Sequence, residues 1–131
     1  MEKELLVPGF YYHIYNRGNN KDRIFYETEN HRYFLTLYNK YITPIAKTYA
    51  WCLMQNHFHF LIYLKESDEI DTSKLSYKTV EKSKKLSASL QFSHFLNAYA
   101  QSINKRYFRS GSLFEKNLRR KKMNRKNIIR S

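Results

Sequence analysis

Cysteine occurs once, proline twice and glycine three times in the 131 residues. Each scarcity excludes something. The lone Cys52 cannot close a disulfide within the chain, which rules out a disulfide-stapled scaffold and suits a reducing, cytoplasmic setting. So little Gly and Pro argues against a loop-dominated or low-complexity fold. No run of about 18 apolar residues is present, so a membrane span is not expected. The opening MEKELLVPGF is short, mixed in charge and broken by Pro8-Gly9, unlike a signal peptide. There is no phosphate-binding glycine loop. A zinc site built on paired cysteines lacks its second thiol, and acids are scarce around the histidines, which leaves a Ser-His-acid hydrolase unsupported.

What is abundant is aromatic surface and positive charge. Hydrophobic residues make up 42% and aromatics 17%, with 12 tyrosines, so the chain can fill one modest core. The formal net charge is +13 and is concentrated at the C-terminal end. Residues 105–131 carry eleven Lys or Arg against the single acid Glu115, whereas residues 1–104 carry thirteen basic and ten acidic residues. A basic block of this kind points to a polyanion, most simply nucleic acid. A solvated basic tail has the same composition.

The periodicities predict six elements. Phe10 to Tyr15 is aromatic and β-branched and reads as a strand, followed by turn residues over 18–22. With Thr28 as N-cap, Tyr33, Phe34, Leu37, Tyr38, Tyr41, Ile42 and Ile45 recur at helical spacing, which predicts a helix over 29–43 ending at Pro44. Residues 49–54 and 57–64 read as two strands of a hairpin joined at Gln55-Asn56. The polar stretch 66–85 reads as a mobile loop. Leu86, Leu90, Phe95, Leu96, Tyr99, Ile103 and Tyr107 predict a second helix over 84–108, ended by the turn at Gly111. Residues 113–123 predict a basic last strand, and 124–131 show no pattern. The order β-α-β-β-α-β implies an α+β two-layer sandwich, ferredoxin-like, with an antiparallel sheet and two helices on one face.

Within the third strand stands QNHFHFLI, residues 55–62. Residues i and i+2 of a strand point to one side, so His57 and His59 project together while Phe58, Phe60 and Ile62 face the core. Two neutral imidazoles can converge on Zn, Mn, Co or, with oxygen ligands, Mg. An H-x-H triplet also occurs in strands that bind nothing. His13, on the first strand, is a candidate neighbour of the pair. A metal that polarises a phosphodiester, a tyrosine that attacks it and a basic surface that holds it would use all three features.

Four ordered stretches then resemble one family. Tyr12-His-Ile-Tyr-Asn-Arg-Gly18 is similar to its opening Y-H-(apolar)-x-N-R-G, and Phe25 before a helix also fits. Met54 to Leu61 is similar to M-P-N-H-x-H-x-L, with Gln55 in place of proline. Asn104 to Phe114 is similar to N-x-x-Y-x-R-x-G-x-L-(aromatic). The chain thus resembles the IS200-like (Y1) transposases, in the branch of REP-associated tyrosine transposases, within the HUH endonuclease group. The resemblance implies that His57 and His59 hold a divalent metal, Mg or Mn, against a scissile phosphate. It implies nicking and rejoining of single-stranded or hairpin DNA through a phosphotyrosine, and relatives that include dimers make a homodimer one expectation. Arg17, Arg119, Arg120, Lys121 and Lys122 are the expected phosphate contacts.

The nucleophilic tyrosine of such proteins lies on a further helix after the last strand. No tyrosine follows Tyr107 here, so the expected nucleophile falls beyond Ser131, and Tyr107 is the weak substitute within the chain. A catalytically inactive DNA-binding remnant or regulator is therefore the alternative, and an RNA-binding module of similar fold is a third reading.

Overall fold

The computed structural model describes residues 5–71, 73 and 87–124. Four strands form: β1 (Tyr11–Arg17), β2 (Ala46–Met54), β3 (His57–Leu64) and β4 (Arg119–Met123). Two helices accompany them, α1 (Thr28–Tyr41) between β1 and β2 and α2 (Ala88–Arg106) before β4. The sheet order is β2-β3-β1-β4 with every neighbouring pair antiparallel. That is the split βαβ arrangement expected of a ferredoxin-like sandwich. No helix among the described residues is long and apolar enough to cross a membrane.

Strict alternation in β1 and β3 separates the two faces of the sheet. Tyr12 and Ile14 of β1 and Phe58, Phe60, Ile62 and Leu64 of β3 are buried, whereas the residues between them are only partly so. The helices cover the buried side with Phe34, Leu37 and Tyr38 of α1 and with Phe92, Phe95, Leu96, Tyr99 and Ile103 of α2. Phe34 is the hub. Its ring centroid lies 4.7–5.3 Å from those of Phe25, Phe58, Phe95 and Tyr99. The buried Tyr99 hydroxyl donates to the Ile24 carbonyl at 2.5 Å, and burial pushes its pKa well above the usual phenol value.

Several boundaries differ from expectation, each for a local reason. Glu27, not Thr28, caps α1, because Asn30 Oδ1 accepts from the backbone of Tyr26 at 2.7 Å and of Glu27 at 2.9 Å. β2 begins at Ala46 because pairing of Ala46 with Leu64 extends the hairpin past the polar Lys47 and Thr48. The last strand begins at Arg119 rather than 113. Leu113 and Phe114 are buried in a connecting segment that forms one isolated β-bridge, Phe114 to Gly18, and no ladder, and Asn117 has φ of 93°. α2 starts when Ser87 Oγ accepts from Leu90 N at 3.2 Å. Leu90 points outward, and the buried Gln91 takes its place and donates to the Tyr41 carbonyl at 2.9 Å. Most of the stretch expected to be a loop over 66–85, the start of the second helix over 84–86, and 125–131 lie outside the described residues.

Phe34→Ala should cost about 3–5 kcal/mol through lost burial and the cavity left behind. Urea denaturation of the variant checks this, and an unchanged midpoint would refute Phe34 as the hub.

Candidate functional site

The open side of the sheet carries the residues that strand alternation turns away from the core. On β3 these are His57, His59, Leu61 and Tyr63, and on β1 Tyr11, His13, Tyr15 and Arg17. The register sets Arg17 opposite His57, Tyr15 opposite His59 and His13 opposite Leu61. β4 adds Arg119 opposite Tyr15 and Lys121 opposite His13. A pocket of about 330 Å³ results, lined by Tyr15, Asn16, Arg17, Lys21, Asn56, His57, His59 and Arg119. A larger groove of about 500 Å³ between α2 and residues 111–120 contains no histidine, so the chemistry concentrates in the smaller one.

The imidazoles are organised by their neighbours. The rings of His57 and His59 are 5.1 Å apart and nearly perpendicular. His57 Nδ1 lies 2.9 Å from Asn56 Oδ1. An amide oxygen only accepts, so Nδ1 carries the proton and Nε2 of His57 presents its lone pair. His13 Nε2 and His59 Nδ1 are 2.8 Å apart and share one hydrogen bond. In the tautomer where His59 Nδ1 donates to His13, Nε2 of His59 also presents a lone pair. Burial lowers the pKa of His59, with His13 and His57 adding to it, and burial followed by Lys121 lowers that of His13. Both shifts favour the neutral ring, the form that can ligate a metal.

The turn after β1 brings a further cation to the pocket. Gly18 N donates to the Asn56 carbonyl at 2.9 Å, and Ile24 N donates to that of Gln55 at 2.9 Å, which ties this turn to the β2–β3 turn. A Cβ on Gly18 would meet the Asp22 carbonyl oxygen at 1.9 Å, so only glycine closes the turn that carries Lys21. Arg17 Nε is 2.9 Å from Glu115 Oε2, and Arg119 Nη2 is 3.1 Å from Glu115 Oε1. Glu115 thus spans the two arginines, and its hydrogen bond to Arg17 holds its carboxyl below the usual range.

Of the residues picked from sequence, His57, His59, Arg17 and Arg119 line one pocket, and His13 stands outside its lining, bonded to His59. The basic cluster does not act as one surface, because alternation divides it. Arg119 and Lys121 share the open side, whereas Arg120 hydrogen-bonds the Leu118 carbonyl and Lys122 sits 3.6 Å from the Phe10 ring centroid. Tyr107 belongs to the helical layer, where its hydroxyl hydrogen-bonds Glu27 and Asn30 and its ring lies 4.6 Å from Tyr26. The stretch around it is a clasp: Arg109 Nη1 donates to Asn104 Oδ1 at 2.5 Å, Asn104 Nδ2 donates to the Gly111 carbonyl at 2.9 Å, and Arg109 approaches Asp22 at 3.7 Å. Sequence reading passed over Tyr15, Lys21 and Asn56. Tyr15 shares the i, i+2 spacing of His13 and Arg17, so the same alternation argument would have found it.

Beyond the far end of β3 the exposed carboxylates of Glu66, Asp68 and Glu69 lie within 4.8 Å of one another. Glu69 is engaged there as acceptor for the Tyr63 hydroxyl and the Glu66 amide.

No protein-family model matches the sequence, and no curated protein matches it. Among solved structures the fold is similar to that of a REP-associated tyrosine transposase bound to a REP hairpin, with a TM-score of 0.61 and 8% identity. The likeness covers 99% of this chain and 65% of that one, so this chain spans about two-thirds of its length. At that identity the likeness is one of fold, the same fold that the sequence motifs implied.

Two outcomes follow from this geometry. Gly18→Ala should destabilise by about 1–3 kcal/mol through overpacking against the Asp22 carbonyl, read as a lowered denaturation midpoint. Arg17→Gln should move the Glu115 carboxyl titration upward, toward the ordinary carboxylate range, in carbon-detected NMR. A titration that stays in place would remove Arg17 as its partner.

Proposed function

We propose that the chain is a DNA-processing domain of the IS200-like (Y1) transposase type, in the REP-associated branch of the HUH group. In this reading the His57–His59 pocket receives a phosphodiester of single-stranded DNA beside a hairpin. The observation that carries it is the His57–His59 pair on the open side of this fold, oriented by Asn56 and His13 and ringed by Arg17, Lys21 and Arg119. Cations that face one pocket are what a phosphate needs for positioning.

The residues present fit a divalent ion, Mg or Mn. His57 and His59 would hold it, Asn56 and His13 would fix their tautomers from behind, and water and phosphate oxygens would supply the remaining ligands. Such an ion, when bound, supplies charge that polarises the P–O bond. The chain's own share is to hold the strand. Arg17 and Arg119 would exchange part of their contact with Glu115 for the phosphate, and Lys21 would close the pocket from the turn. In the transposition chemistry of this type a tyrosine oxygen bonds to phosphorus while the 3′-oxygen leaves as a hydroxyl, and the reverse step rejoins strands.

A second reading, a DNA-binding remnant or regulator, is favoured by one observation. The Tyr107 hydroxyl is committed to Glu27 and Asn30 in the helical layer, away from the histidines. Both readings share the same pocket and differ in whether a covalent protein–DNA adduct forms.

Calorimetric titration with Mn²⁺ should show binding to the wild-type protein that His57→Ala/His59→Ala abolishes and Asn56→Ala weakens about 10–100-fold. Binding that survives loss of both histidines would end the metal assignment. For hairpin DNA, Arg119→Gln/Lys121→Gln should reduce the slope of log K against log salt by about 2. An unchanged slope would take both residues out of the interface.

A further inference from the structure

The histidine pocket occupies one end of the open sheet face, and the rest of that face is also aromatic. Tyr15 and His13 stack at 4.6 Å and 27°, and His59 lies 5.0 Å from His13 and 5.7 Å from Tyr15, with all three planes within 27° of one another. At the other end the Tyr11 ring is 5.0 Å from Tyr63 and 5.9 Å from Tyr49. Tyr11 and Tyr63 are directly paired across β1 and β3, both partly exposed, and Tyr49 is 51% exposed on β2. Glu69 accepts a hydrogen bond from the Tyr63 hydroxyl at 2.8 Å at the outer edge of the cluster. No α-helix among the described residues lies over this side, since α1 and α2 pack on the other.

Charge accompanies the rings. None of the four strands contains an Asp or Glu, and the strand cations that alternation turns to the open side are Arg17, Lys47, Arg119 and Lys121. Arg119 and Lys121 lie opposite Tyr15 and His13, and Lys47 lies opposite Tyr63, while the exposed carboxylates of Glu66, Asp68 and Glu69 stand past the end of the strand beside Tyr63. Partly exposed rings on strands that turn cations and no carboxylate to the same side suit an unpaired nucleotide strand. Bases stack on the rings without sequence readout, and the backbone runs beside the cations. From Tyr11 to Tyr15 the track spans roughly 13 Å of strand, room for two or three bases, as on other four-stranded sheets that bind single strands.

We propose that the Tyr11–Tyr63–Tyr49 cluster is a base-stacking site for single-stranded DNA that passes the histidine pocket and continues along the open face of the sheet. The choice of DNA rests on the function proposed above, whereas the stacking itself needs neither metal nor hairpin. The site therefore extends the contact beyond the scissile phosphate to nucleotides several positions away, with no preference among bases built into it.

The test is fluorescence anisotropy with a labelled oligothymidylate of about twelve nucleotides, in chelating buffer so that no metal takes part. Wild type should bind, and Tyr11→Ala/Tyr63→Ala should weaken binding about 10-fold or more, as expected for loss of stacked bases. Tyr11→Phe/Tyr63→Phe keeps the rings and should retain wild-type affinity. Thermal melting of both variants confirms that folded protein is compared. Equal affinity of the Ala variant and wild type, absence of binding by wild type, or a loss shared equally by the Phe variant would each overturn the stacking site. Tighter wild-type binding to oligouridylate would overturn the assignment to DNA. Because the chelator removes the ion from this assay, its outcome is separate from that of the Mn²⁺ titration: either the ring cluster or the histidine site can fail alone.

Discussion

The alternation of β3 is the constraint on which everything else depends. One strand of eight residues supplies Phe58, Phe60, Ile62 and Leu64 to the core and His57, His59, Leu61 and Tyr63 to the opposite side. Antiparallel pairing with β1 copies that division onto the next strand, so Tyr12 and Ile14 go in while Tyr11, His13 and Tyr15 come out. Because side chains repeat every two residues, a slip of one residue would bury the imidazoles and expose the phenylalanines. The chemistry of the open side and the stability of the core are thus locked to one register.

That lock rests on aromatic packing in the helical layer. Phe34 meets strand and helix rings at once, Tyr38 stacks on Phe60 at 4.2 Å and 10°, and Tyr99 bonds the Ile24 carbonyl. Ile24 also binds Gln55, the residue that begins the turn into β3. The hydrogen bond from Tyr99 therefore reaches, through two links, the turn that presents Asn56 to His57. Packing on one side of the sheet sets geometry on the other.

Much of this was legible because it is periodic. β3 was expected over the residues where it is found, and the element order was right, since apolar repeats of two and of 3.6 are visible in a single sequence. The convergence of His57 with His59 follows from spacing alone, and the likeness of the surrounding motifs to one family implied the fold that the solved transposase also has. What stayed hidden depends on residues distant in sequence. Glu115 joining Arg17 to Arg119, Tyr107 reaching back to Glu27, and Asn104 meeting Gly111 are contacts that no local pattern encodes. The basic run 119–122 shows the opposite limit: composition groups four cations that the pleat of β4 divides between two sides. Thr28 was a sound N-cap by type, but the short reach of Asn30 made Glu27 the better one.

The edge strand β2 has a different consequence. Its nine residues carry one charge, Lys47, and leave Tyr49, Trp51 and Met54 about half exposed at the edge of the sheet. Edges of that kind template strand addition unless something disrupts them. Here the disruption is the irregularity between Thr48 and Ala50, which breaks the ladder beside Tyr49. The stretch beyond it, Ala50 to Met54, has no such guard. An edge of that kind is where a second strand can add to the sheet, and it lies one strand away from the histidines, Cys52 and Met54 being the direct partners of His59 and His57.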